Sequence, residues 1–225
     1  MLMRTRIVYE DQDILICHKP AGLATQSASV SQLDVVSELR NYLKGAYVGI
    51  VHRLDQPVEG LLVFARNKKA AASLSRQLEE GTLHKRYCVL VYGRPSQDRG
   101  ELVDYLCREG SLARVISEGS PGAKKAVLQY QVRQSGTGDA GGPPECSCLD
   151  IHIDTGRFHQ IRCQLSHAGM PVLGDQKYGT AESLEISQRL GIRYVALCAY
   201  RIQLRHPVSG REISHEICPD WTKQG

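Results

Sequence analysis

Two short stretches of this 225-residue chain concentrate side chains able to move protons, hold anions or attack an electrophile. The first is His52-Arg53-Leu54-Asp55, between the apolar run 48–51 and a second apolar run starting at Gly60. The second is Thr155-Gly156-Arg157-Phe158-His159-Gln160-Ile161-Arg162, where a strand gives way to a helix. A carboxylate such as Asp55 can serve as a nucleophile or base where a nearby cation keeps it ionised. On the expected helix His159 and Arg162 lie three apart and share a face distinct from the Phe158 and Ile161 stripe. Taken alone, each stretch stays open, because a strand-end ion pair and a solvated helix face use the same residues.

The elements that must position these side chains follow from periodicity. Arg6 to Tyr9 and Ile14 to His18 are expected as paired strands, ended by the turn Lys19-Pro20-Ala21-Gly22. Ser31 to Leu43 has helical spacing, with Leu33, Val36, Leu39 and Leu43 on one face and Ser31 and Asp34 suited to a capping box. The nearly continuous apolar run Gly60 to Ala65 predicts a central strand. Lys68 to Glu80 predicts a helix closed by Gly81, and Lys85 to Tyr92, rich in Tyr and Val, a strand. Arg157 to Ala168 predicts a helix closed by Gly169, and Tyr194 to Leu204 with Arg211 to Ile217 a terminal hairpin. The one stretch of low complexity is a Gly/Pro-rich flexible loop at about 135–147. Strand patterns on both sides of it imply that one sheet continues across the loop. The expected fold is α+β, a mixed and largely antiparallel central sheet flanked by helices and loops, in a single domain, 1–225.

Four strings in order sharpen this reading. They are Ile7-Val8-Tyr9-Glu10-Asp11 through His18-Lys19-Pro20-Ala21-Gly22-Leu23, then His52-Arg53-Leu54-Asp55 through Gly60 and its strand, then Lys85-Arg86-Tyr87-Cys88-Val89-Leu90-Val91-Tyr92-Gly93. The fourth is Asp154 to Arg162, followed by Gly174-Asp175-Gln176-Lys177-Tyr178-Gly179. Together they resemble the opening hairpin with its N-K-P-x-G turn, the H-R-L-D-x-x-T-S-G aspartate motif, the tyrosine motif and the basic motif of the RluA family of RNA pseudouridine synthases. The resemblance spans about residues 5 to 218. Four positions depart from it: Val58-Glu59 stands where Thr-Ser is usual, His18 where Asn is usual, and Phe158 where Thr is usual. Glu59 lies four residues beyond Asp55, with Pro57 between and Gly60 after it. A turn there brings Glu59 back towards Asp55 or points it into solvent; solvent is the expected placement, since a second charge beside Asp55 is costly unless paired.

The resemblance implies an isomerase that converts uridine to pseudouridine in structural RNA, ribosomal or transfer. The ribose-to-N1 bond breaks, the base rotates and a bond to C5 forms. The target nucleotide is expected to flip out of its stack. Asp55 is implied as nucleophile, Arg162 as its ionic partner, and Tyr87 as the residue packed against the base. Arg53 is implied to enter the gap left by the flipped base or to hold its phosphate, with Lys85, Arg157, His159 and Gln160 as further RNA contacts. No cofactor, metal or nucleotide is required by such a reaction. The small S4-type RNA-binding domain that many relatives carry is not expected before residue 5. The alternative, motivated by Val58-Glu59, is a catalytically inactive RNA-binding relative. A carboxylate-dependent hydrolase ranks lower, because no second catalytic carboxylate stands at a defined spacing.

Composition bounds the rest. Lys and Arg total 28 against 24 Asp and Glu, a net charge of +4 that suits a polyanionic partner and an ordinary soluble enzyme equally. No apolar run approaches the length of a membrane helix, and the N-terminus has no apolar signal core, so a cytoplasmic protein is expected. The eight cysteines read as reduced thiols, and Cys146-Ser147-Cys148 has no second close pair to complete a zinc site.

Overall fold

The computed structural model describes residues 3–27, 29, 32–135 and 145–223. They fall into two compact units, Met1–Lys85 with Cys198–Gly225, and Arg86–Leu197.

The first unit is built on strands β1 (Arg6–Glu10), β2 (Ile14–Lys19), β3 (Gly49–Ile50), β4 (Glu59–Ala65), β10 (Leu197–Arg205) and β11 (Glu212–Glu216). Strand β4 sits between antiparallel β2 and parallel β10, with β1 beyond β2, β3 also on β4, and β11 on β10. Every residue of β2 and β4 is buried, as a strand covered on both faces requires, which explains the apolar run from Gly60. One core joins Ile14, Ile16, Leu61 and Val63 to Ala70 and Leu74 of helix α2 (Lys68–Glu79) and to Ile202, Leu204 and Ile213. Gly60 is in the left-handed half of backbone space at φ 141°, and a Cβ there would meet the Ala199 backbone nitrogen at 2.5 Å. Only glycine lets β4 and β10 approach at this point. Helix α1 (Val35–Tyr42) begins later than its periodicity suggests, capped by the Asp34 side chain on the Ser37 N–H. Ser31 lies outside the described residues, and Leu33 precedes the helix and is exposed.

The second unit holds β5, which begins at the boundary (His84–Tyr92), β6 (Arg99–Glu109), β7 (Leu112–Ile116), β8 (Lys124–Ser135) and β9 (Cys146–Ile153). Their order is β5-β9-β8-β6-β7, antiparallel throughout. The β8–β9 pairing bears out one sheet continuing across the Gly/Pro-rich stretch, most of which (136–144) lies outside the described residues. Helix α3 (Gln160–His167) buries Cys163 against Leu106, Ala113 and Ala126. Helix α4 (Ala181–Arg189) starts on a Thr180–Ser183 capping box. The mixed sheets with four helices make the fold α+β, as expected.

Candidate active site

Asp55 lies in the segment between β3 and β4 and is half-buried. Three backbone anchors hold it. Before it, the Thr25 hydroxyl donates to the Leu54 carbonyl at 2.9 Å and accepts the Leu54 N–H at 3.1 Å. Across it, the Val58 N–H donates to the Asp55 carbonyl at 3.0 Å and closes a four-residue turn. After it, the Gln56 carbonyl accepts from the Gly22 N–H at 2.9 Å and the Lys19 Nζ at 3.1 Å. Lys19 is fully buried and also donates to the carbonyls of Leu23 at 2.6 Å and Pro20 at 3.1 Å. Burial pushes its pKa down to about 7, against the pull of the Asp55 and Glu59 carboxylates. The Lys-Pro-Ala-Gly turn and the aspartate motif are thus one construction, with a buried amine tying their backbones.

His52 and Arg53 diverge. The His52 Nε2 accepts the Val63 N–H at 3.3 Å, supplying β4 with a partner in mid-strand. Burial, and then the Lys85 charge, hold its pKa well below the ordinary imidazole value. The ring is neutral, and its proton sits on Nδ1, which has no hydrogen-bond partner among the described residues. Arg53 is exposed and donates to Gln26 Oε1 at 2.9 Å. Lys85 is half-buried on β5.

Glu59 overturns the expectation of a solvent-facing carboxylate. It is 2% exposed, takes the His18 Nε2–H on Oε1 at 2.9 Å, and receives the Asp220 N–H on both oxygens at 3.1 Å. The turn forms as expected, but Glu59 is the first residue of β4 and points into protein. His18, Glu59 and Asp220 could together face a metal ion, as could Asp11, Asp13 and His206. In the second group Asp11 already accepts from the Asp13 and Ile14 N–H groups, the Tyr9 hydroxyl and His206 Nε2.

In the second unit Arg162 is 2% exposed on α3, donating from Nε and Nη2 to the two carboxylate oxygens of Asp175, each at 2.7 Å. This planar fork fixes the guanidinium's plane. Asp175 is in turn held by the N–H groups of Lys177 and Tyr178. At Gly174, φ is 74° and a Cβ would meet the Tyr194 carbonyl oxygen at 2.0 Å, so the turn that presents Asp175 requires glycine. The Tyr178 ring lies 5.1 Å from the Arg162 guanidinium, and its hydroxyl accepts the Ala113 N–H and sits 2.9 Å from His159 Nδ1. Asp175 and Tyr178 were not singled out from sequence; the motif carried them, but only the fold shows what they hold.

The helix expected from Arg157 starts instead at Gln160. His159 is its N-cap in the left-handed region, at φ 52°, so it does not share a helix face with Arg162. Phe158 stacks on the His159 ring at 3.8 Å, with the Arg108 guanidinium 4.4 Å above Phe158. Gln160 is buried: its amide accepts from the Thr155 hydroxyl and the Arg157 N–H and donates to the Val127 carbonyl. Arg157 is exposed, its Nε on the Lys125 carbonyl. Tyr87 is buried on β5 opposite Ile151 of β9.

A half-buried carboxylate on a fixed turn suits nucleophilic attack, and a buried, two-point-held guanidinium suits electrostatic orientation. Comparison with known proteins identifies the setting. Residues 13–167 match the family model described as RNA pseudouridylate synthase. Ribosomal large subunit pseudouridine synthase C of Rickettsia bellii is 33% identical over 213 residues, covering 93% of this chain and 67% of that protein. Ribosomal large subunit pseudouridine synthase D of Zymomonas mobilis is 31% identical over 225 residues, covering 93% and 68%. The chain thus spans about two thirds of the length of these relatives. The solved structure of human RNA pseudouridylate synthase domain containing 1 superposes with a TM-score of 0.77 at 26% identity, covering 96% of this chain and 83% of that one. This chain belongs to the RluA-type family of RNA pseudouridine synthases, isomerases that act on RNA.

Proposed function

We propose that this protein isomerises uridine to pseudouridine in ribosomal RNA of the large subunit, with Asp55 as the nucleophile. The observation that carries this is the Asp55 turn, whose backbone is anchored on both sides by Thr25 and buried Lys19 within the family's aspartate motif. Its similarity to ribosomal large subunit pseudouridine synthases C and D favours ribosomal over transfer RNA. In this reading 1–225 acts as one catalytic domain in the cytoplasm, and the target uridine flips out of its stack to reach the carboxylate.

Arg162 is proposed to take part in the reaction as a fixed cation, and its grip on Asp175 supports a fixed orientation. Tyr87 is proposed to present its ring to the base. Arg53, Arg157 and Lys85 are proposed to meet phosphates, the first two supported by their exposure. His159 and Gln160 are proposed to serve the RNA through the shape of the loop before α3, given their burial and internal hydrogen bonds. The reaction breaks the N1–C1′ bond, forms C5–C1′, and frees the hydrogen of C5.

The test is tritium release from 5-tritiated uridine in ribosomal RNA. The wild type releases tritium; Asp55→Asn, nearly isosteric, keeps its fold and RNA affinity and releases none. Pseudouridine made by Asp55→Asn, with deamidation excluded by mass spectrometry, would refute the assignment.

A further inference from the structure

Two of the four positions that depart from the family's motifs meet in space. His18 stands where asparagine is usual and Glu59 where serine is usual, 41 residues apart, and Nε2 and Oε1 come within 2.9 Å. Strand register puts them on one face as diagonal neighbours, since β2 and β4 pair His18 with Leu61, two residues beyond Glu59. Both side chains are buried, at 7% and 2% exposure. A buried carboxylate needs donors, and a buried imidazole N–H needs an acceptor. Without Glu59 the His18 N–H loses its acceptor, and without His18 the buried carboxylate keeps only the Asp220 N–H; together they satisfy each other. The remaining capacity of Glu59 takes the Asp220 N–H, tying the 3₁₀ helix Asp220–Lys223 to the start of β4.

Glu59 is also the residue directly after the Asp55–Val58 turn. The turn's near end is held by Thr25 and its middle by Gly22 and Lys19. Its far end leads straight into Glu59, fixed by His18 and Asp220. His18 and Lys19 are neighbours on β2, so their side chains leave opposite faces of the strand. We infer that His18 and Glu59 form a positioning pair that fixes the far end of the nucleophile's turn, so that each of the two substitutions requires the other. This inference rests on Asp55 being the nucleophile, as proposed above.

The experiment is a double-variant cycle on the full chain, using Glu59→Ser, His18→Asn and the two combined, which restores both usual residues. Tritium release gives kcat and KM, and chemical unfolding gives the folded fraction by which kcat is normalised. Each single variant strands one buried partner, so its kcat falls about tenfold while KM changes by less than about threefold. The double variant recovers most of that loss. Where Glu59→Ser fails to fold, Glu59→Gln, which keeps the shape and one acceptor, takes its place with an expected kcat loss of about threefold. Single variants with wild-type kcat per folded molecule, or a double variant whose loss is the product of the two single losses, overturn the pair. A wild type that releases no tritium overturns the functional reading itself and this inference with it.

Discussion

Lys19 has three ammonium protons, and the carbonyls of Pro20, Leu23 and Gln56 receive them. Its folded pKa lies near 7, below the 10.5 of a free lysine, chiefly because burial disfavours the charge. Between those values the unfolded chain binds a proton that the folded chain does not, so stability rises with pH across that window. Below about pH 7 both states are protonated and Lys19 adds no slope. Lys19→Met removes the term. The wild-type unfolding free energy, measured against that of Lys19→Met by denaturant titration, should therefore climb from about pH 7.5 to about pH 9.5, at up to about 1.4 kcal/mol per pH unit. A flat difference would show that Lys19 stays charged in the folded state. At this scale Asp55 is legible in sequence through its motif, whereas Lys19 is not. A Lys-Pro-Ala-Gly string reads as an exposed turn, and its burial depends on the carbonyl of Gln56, 37 residues away. The same blindness misplaced Glu59, whose partners sit 41 and 161 residues distant.

Elements with one dominant period are the ones the chain announces. Strand β4 is an apolar run from Gly60 onward, α2 repeats its buried Ala70 and Leu74 at helical spacing, and β10 with β11 forms the expected antiparallel hairpin. Strands β6 and β7 carry no such signal: Arg99–Glu109 is mostly exposed or half-buried, and its register comes from pairing with β8. The start of α3 is misjudged for a local reason, the left-handed His159, which stacking on Phe158 and the contact with Tyr178 accompany. Strand β4 also depends on His52, which occupies its Val63 N–H beside the short β3. The folded ring is neutral with a pKa well below 6.5, so in acid the unfolded chain gains a proton first. Stability therefore falls as pH drops below about 6.5. His52→Gln keeps an acceptor for Val63 and cannot titrate, so it should lose less stability than wild type between about pH 7 and pH 5. His52→Ala leaves the N–H unmet and should cost about 2 kcal/mol at neutral pH. Parallel acid profiles for wild type and His52→Gln would remove His52 from the acid response.

For the molecule as a whole, the order of four motifs carries more information than any bulk property. A net charge of +4 decides nothing by itself, while the pattern of strands and helices anticipated the α+β fold and four strings in order anticipated the family. What they could not supply is the network behind them, Asp175 under Arg162 and Glu59 against His18, because such contacts are set by packing between distant segments. The reaction adds a constraint at this scale. Moving a glycosidic bond from N1 to C5 gains and loses no electrons, and the carboxylate of Asp55 is the nucleophile proposed for it, so the chemistry calls for no metal ion. The sulfurs of Cys88 and Cys148 lie 3.4 Å apart on β5 and β9. Two sulfurs fall short of the four ligands that a structural zinc takes. Tritium release should therefore survive exhaustive dialysis of the protein against a chelator, once the magnesium that folds the RNA is restored. The comparison is between dialysed and untreated protein on one pre-folded RNA, with zinc added back in a third arm. Activity lost on dialysis and regained only with zinc would overturn the metal-free mechanism proposed here.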